Sequence, residues 1–185
     1  MINRNTIFSV LIAATVSVII YRLIPPSVEP NFTLTLSKSR NNIVKINQPR
    51  TISESREMVI DRIELNERSR FQHPKLGPLG WSENFFADIE SRFKVTESGR
   101  YRFLTGSDDG FRLAIDGNVL CQFPGDRPYR KQACYQTLEV GEHLLELNYF
   151  QGYGNAGLTL EVTKSDVKSP QFWGEKIEGI EYIQP

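Results

Sequence analysis

Asp108, Asp109 and Gly110 form the most chemically suggestive run in this chain of 185 residues. Neighbouring carboxylates are well arranged to share one cation, whereas the paired carboxylates of a glycosidase must stand on opposite sides of their substrate. The same run also makes a good turn, because Asp caps its own backbone and Gly accepts positive φ. Other chemistry is thinly represented: there is no Ser or Cys nucleophile with a convincing base and no glycine loop shaped to cradle phosphate. The two histidines, His73 and His143, are far apart in sequence and make no metal-ligating pair. A binding module rather than an enzyme is expected. Lys plus Arg and Asp plus Glu each total 22, and no segment concentrates basic residues, which argues against nucleic acid as a partner.

Cys121 and Cys134 bracket a segment that holds Pro124, Gly125 and Pro128. A zinc site would want more ligands nearby, so a disulfide is expected, with two unpaired thiols as the alternative. Closing a loop of this size stabilises by about 3 kcal/mol in the chain-entropy model, and only in an oxidising compartment.

The elements that must position these residues are β-strands. Arg100 to Leu104 alternates after the turn Glu97-Ser98-Gly99 and puts Tyr101 and Phe103 on one face. Phe111 to Ile115 and Val119 to Cys121 flank Asp116-Gly117, a favoured two-residue hairpin turn. Gln136 to Val140, His143 to Tyr149 and Leu158 to Val162 complete a series of short strands separated by turns, the pattern of an antiparallel β-sandwich or barrel. Tyr101, Phe103, Leu113, Ile115, Leu145 and Leu147 are expected in its core. Trp81 and Trp173 are expected at the core's edge, and His143 as a structural hydrogen-bonder.

Residues 7 to 24 are apolar up to Arg22 and are followed by Pro25-Pro26, so a transmembrane signal-anchor helix is expected there, behind a cap of residues 1 to 6. A cleaved signal peptide is the alternative, but no small-x-small cleavage site follows the run. Residues 25 to 57 are rich in Pro, Ser, Asn and basic residues and read as a stalk, with Phe32 to Leu36 and Ile43 to Ile46 as alternating patches within it. The segment 58 to 65 fits a helix or a strand equally. The β-domain is expected over 58 to 165 and a tail over 166 to 185.

Taken together, Ser98-Gly99-Arg100-Tyr101-Arg102-Phe103, Ser107-Asp108-Asp109-Gly110, Leu113, Ile115-Asp116-Gly117, Gly141-Glu142-His143 and Tyr149-Phe150-Gln151-Gly152 with Gly154, Ala156 and Leu158 resemble the PA-fourteen domain. That family is named from the anthrax protective antigen, and the resemblance covers about residues 80 to 163. It implies an antiparallel β-sandwich or barrel, found in adhesins, toxins and accessory modules of glycosidases. In its calcium-dependent carbohydrate binders two aspartates joined by a cis peptide hold the ion, with an amide side chain and backbone carbonyls from a nearby loop. Asp108 and Asp109 match the aspartates, Gln151 the amide, and Tyr153 and Asn155 the carbonyls. The fungal lectins have Asn where this chain has Gln151, so a longer side chain must reach the same ion.

Calcium takes roughly six to eight oxygen ligands, a number that two carboxylates, an amide oxygen, loop carbonyls and two sugar hydroxyls would meet. Tyr153, Phe111 and Tyr129 are then the candidates for stacking on a sugar's C–H face. The expectation is a single-pass membrane module, with its β-domain outside the cytosol, that binds a glycan through calcium. The alternative is a protein-interaction scaffold among envelope or surface proteins.

Overall fold

The computed structural model describes residues 3–23, 27–164 and 169–185, and within the N-terminal helix the side chains from Phe8 to Ile19. The expected Pro25-Pro26 helix stop, the first residues of the cap and the start of the tail lie outside the described residues. Helix α1 (Arg4–Leu23) is followed by strands β1 (Phe32–Ser39), β2 (Ile52–Ile60), β3 (Glu64–Leu65), β4 (Gln72–His73) and β5 (Gly77–Pro78). Then come β6 (Phe85–Val95), β7 (Gly99–Asp108), β8 (Phe111–Ile115), β9 (Asn118–Phe123) and β10 (Arg130–Leu138). The last four are β11 (Gly141–Gln151), β12 (Gly157–Lys164), β13 (Gln171–Phe172) and β14 (Ile180–Ile183).

Two antiparallel sheets face each other as a sandwich and neither closes into a barrel. One sheet runs β2-β1-β6-β11-β8-β9, with β14 also paired to β6; the other runs β10-β7-β12-β13, with β3 also paired to β12. Alternation explains the layers, since side chains two apart share a face. Phe32, Leu34 and Leu36 of β1, Leu145, Leu147 and Tyr149 of β11, and Leu158, Leu160 and Val162 of β12 are fully buried. They meet Tyr101 and Phe103 of β7 in one core.

The sheets extend past both expected ends of the β-domain, and the open segment between 58 and 65 is resolved. The expected stalk of 25 to 57 contributes β1 and the first part of β2: β1 sits between β2 and β6, pairing Phe32 to Ile60 on one side and Thr33 to Glu90 on the other. Its period-two apolar residues are the inward face of an interior strand. The loop that follows folds back over the outer face, where Ile43 and Ile46 cover Phe86 and Phe150. In the tail, Trp173 is fully buried, with its ring 4.9 Å from that of Phe93 and its Nε1 donating to Ser91 Oγ at 2.9 Å. β14 pairs with β6 through Ile180 to Val95. The ambiguous 58 to 65 segment is strand at both ends, completing β2 and forming β3.

Among the described residues no helix is long and apolar enough to cross a membrane. The described side chains of α1 are exposed along their whole length.

Candidate functional site

Four connections meet at one end of the sandwich. β7 ends at Asp108, and its register partner Gly157 opens β12, while β11 ends at Gln151 opposite Phe85 at the start of β6. The β7–β8 turn and the β11–β12 loop are thereby brought side by side. The β9–β10 connection and the loop after β1 close over them. The peptide bond between Asp108 and Asp109 is cis, as the resemblance implies.

The two carboxylates are held by backbone donors. Tyr129 N donates to Asp108 Oδ2 at 3.1 Å; Gly152 N and Arg127 N donate to Asp109 Oδ2 and Oδ1 at 2.7 and 3.3 Å. Gly152 is required by this approach: a Cβ there would stand 2.6 Å from Ile43 O and 3.3 Å from Asp109 Oδ2. Asp108 and Asp109 are 8% and 5% exposed, yet among the described residues no Lys, Arg or His lies within 4.0 Å of either carboxylate.

Burial raises both acids above the ordinary carboxylate range. For Asp108 the charge of Asp109 adds to that rise, against the Tyr129 N–H and Arg127. For Asp109 the N–H groups of Gly152 and Arg127 oppose it, and Asp126 reinforces it. Such a pair has two ways to lose its desolvation cost: it takes up a proton or it accepts a cation.

Beneath them lies a buried polar chain. Tyr149 is fully buried; its hydroxyl donates to the carbonyl of Asp108 and lies 2.7 Å from Gln151 Oε1. Gln151, also fully buried, donates from Nε2 to the carbonyl of Asn155 at 2.8 Å. One hydroxyl proton thus faces two acceptors. Turning the amide over would let Nε2 donate to Tyr149 and would set Oε1 beside the Asn155 carbonyl, an arrangement that a cation between the two oxygens would stabilise. Two carboxylates, an amide oxygen and a loop carbonyl are the donor type a hard, oxygen-seeking cation takes, although among the described residues no cluster of three or more His, Cys, Asp or Glu forms.

Arg127 is a strut that sequence reading missed. Its Nη2 donates to Ser107 Oγ at 2.8 Å and to the carbonyl of Arg130 at 3.1 Å, and its guanidinium lies 4.5 Å from the ring centre of Phe123. Ser107 in turn donates to the carbonyl of Asp109 at 2.7 Å.

Beside Asp109 opens a pocket of about 570 Å³ bounded by Asn42, Val44, Glu83, Asp126 and Tyr153, among others. Tyr153 projects from its rim, 84% exposed. Phe111 does not serve that role. It is fully buried, because the alternation that begins β8 turns it into the core with Leu113 and Ile115. Tyr129 supplies its N–H, while its hydroxyl bonds Thr159 Oγ1 at 2.7 Å and its ring fills the space left by Gly106. No spacing rule could have added Asn42 and Val44, which arrive on the supposed stalk.

Cys121 and Cys134 are bonded, with their Cα atoms 6.2 Å apart. His143 stands away from the site, between Asp116 Oδ2 at 2.7 Å and the carbonyl of Glu139 at 2.9 Å, a structural role as expected.

The PA14 domain model, the PA-fourteen family of the resemblance, matches residues 77–172, just over half of the chain. The chain belongs to the PA14 domain family. Solved structures share the fold. The PA14 sugar-binding domain from an RTX adhesin is 16% identical, with TM-score 0.60, covering 77% of this chain and 93% of that one. The PA14 domain of the MpAFP antifreeze protein is 14% identical, with TM-score 0.61, covering 80% and 89%. The epithelial adhesin 9 A domain from Candida glabrata, in complex with Galβ1-3GlcNAc, is 12% identical, with TM-score 0.61, covering 85% and 90%. None of the curated proteins matches. The family model begins after β1 and β2, whereas the structural likeness to these domains extends over 77 to 85% of the chain.

Proposed function

We propose that this PA14 domain is a non-catalytic, adhesin-like carbohydrate binder that holds a glycan through calcium. The observation that carries the reading is the pair of buried carboxylates, Asp108 and Asp109, without a positive side chain within ion-pair distance among the described residues, at the mouth of a pocket rimmed by an exposed tyrosine. Calcium would be held by Asp108, Asp109, Gln151 and the carbonyls of Tyr153 and Asn155, and it would offer open coordination positions to vicinal hydroxyls of a sugar. The residues do the rest: the N–H groups of Gly152, Arg127 and Tyr129 fix the carboxylates, Tyr153 gives a C–H stacking face, and Glu83, Asn84 and Asp126 supply polar groups to the walls. Sugar binding by the adhesin relatives named above supports this reading at the level of the family.

The same reading places the domain outside the cytosol, where its disulfide persists, with α1 as its membrane anchor. A glycan array probed with and without calcium tests the function. Binding that needs calcium and is lost in Asp109→Asn is expected; an array silent in both conditions would leave the interaction-scaffold alternative instead.

A further inference from the structure

A second pocket, of about 580 Å³, adjoins the first. The two divide the same two segments: the first takes Glu83, Asn84, Gly152 and Tyr153, and the second takes Trp81, Ser82, Gly154, Asn155 and Ala156. Asn84 N donates to the carbonyl of Gly152 at 2.8 Å, tying those segments together. The second pocket's remaining wall carries Phe71, Leu79, Arg68 and Arg70. Its composition is unlike the first: apolar and aromatic surface with two cationic groups, and no acidic residue among its lining.

Both arginines are exposed, and among the described residues neither forms an ion pair. The nearest acid in sequence, Glu67, accepts from Gln72 Nε2 at 2.7 Å instead. Arg68 and Ser69 both adopt left-handed backbone angles, φ 52° and 60°, in a tight turn closed by reciprocal bonds between Glu67 and Arg70. The turn is pinned to the β11–β12 loop, since Ala156 N donates to the carbonyl of Ser69 at 3.0 Å. Left-handed conformations are unfavourable for such side chains and persist where the surroundings impose them. Their consequence here is that two guanidinium groups border the loop that carries Asn155.

We infer that this pocket is a second subsite, which binds an anionic sugar residue, a hexuronate above all, in a glycan whose neighbouring unit occupies the first pocket. The inference rests on the reading of the domain as a carbohydrate binder and adds the charge of its ligand. A guanidinium offers a carboxylate two parallel N–H donors, and Trp81 and Leu79 offer the ring's C–H face an apolar wall.

The test is a two-dimensional NMR titration of the full chain with methyl β-glucuronide, methyl β-glucoside and inorganic sulfate, following the Trp81 indole N–H and the amides of residues 154 to 156. The glucuronide is expected to shift these signals with about tenfold higher affinity than the glucoside, as one charge-assisted contact supplies. Arg68→Gln combined with Arg70→Gln should remove that preference; both side chains are exposed, so the fold should survive. The preference for the glucuronide should persist with calcium chelated, which separates failure of this subsite from failure of the calcium reading. Equal response to glucuronide and glucoside, or persistence of the preference in the double variant, overturns the inference. So does inorganic sulfate binding as tightly as the glucuronide, because the sugar would then contribute nothing.

Discussion

Asp108 and Asp109 carry the account at the scale of single residues, and their raised acidities fix the sign of its pH dependence. A carboxyl whose folded pKa lies above its unfolded value destabilises the fold at any pH above the folded value. That penalty is lifted as pH falls toward the ordinary carboxylate value of about 3.9. Calcium competes with those protons. The rise in Tm produced by calcium should therefore be full at neutral pH and fade as pH drops through the raised pKa values, which thermal scans across an acid series will show. A calcium effect that stays constant down to the ordinary carboxylate range would contradict it. Gln151 is the second point of leverage. Truncation to Ala would weaken calcium binding and cost about 1 to 3 kcal/mol in metal-free stability, since the buried Tyr149 hydroxyl and the Asn155 carbonyl each lose a partner; calorimetry and denaturant melts measure the two effects separately. The aspartate pair was legible in the sequence because its residue types suit the chemistry, and Gln151 only through the resemblance to the family. Phe111 was misread as a platform because proximity in sequence to Asp109 says nothing about which face of β8 it occupies.

At the scale of elements, the disulfide joins the edge strand of one sheet to the edge strand of the other, since Cys121 lies on β9 and Cys134 on β10. The segment it closes carries Arg127 and Tyr129, whose N–H groups hold the two carboxylates. Replacing both cysteines with serine should cost about 3 kcal/mol and on the order of 10 °C in Tm. It should also loosen calcium binding, because the donors lose their anchored base; unchanged calcium affinity would separate the loop's geometry from its staple. The pairing was readable from the cysteine count, and the Asp116-Gly117 turn from its residues, which take φ 52° and 76° as a two-residue hairpin demands. The role of β1 was not. Five alternating residues set among polar ones look alike whether they lie in a tether or between two strands, and only the long-range pairing with β6 decides the matter.

On the scale of the whole molecule, the domain begins near Asn31 and runs almost to the end of the chain. Asn31 bonds the carbonyl of Ile60 through N and that of Asp61 through Nδ2, and Trp173 fills the middle of the core from the supposed tail. Trp173→Ala should cost about 3 to 5 kcal/mol in denaturant unfolding, the range for emptying a buried aromatic site. A loss below about 1 kcal/mol would mean that the C-terminal segment is dispensable after all. The fold class was legible because turn signals and period-two patterns are local. The extent of the domain was not, because the strands that complete it are short and their partners are distant.

The most direct measurement is a calorimetric titration of the metal-free protein with calcium at neutral pH, run beside Asp108→Asn. One ion bound per chain, with affinity lost in the variant, is the outcome expected. No heat of binding in the native chain, or equal binding by both proteins, would mean that no cation resides between these carboxylates.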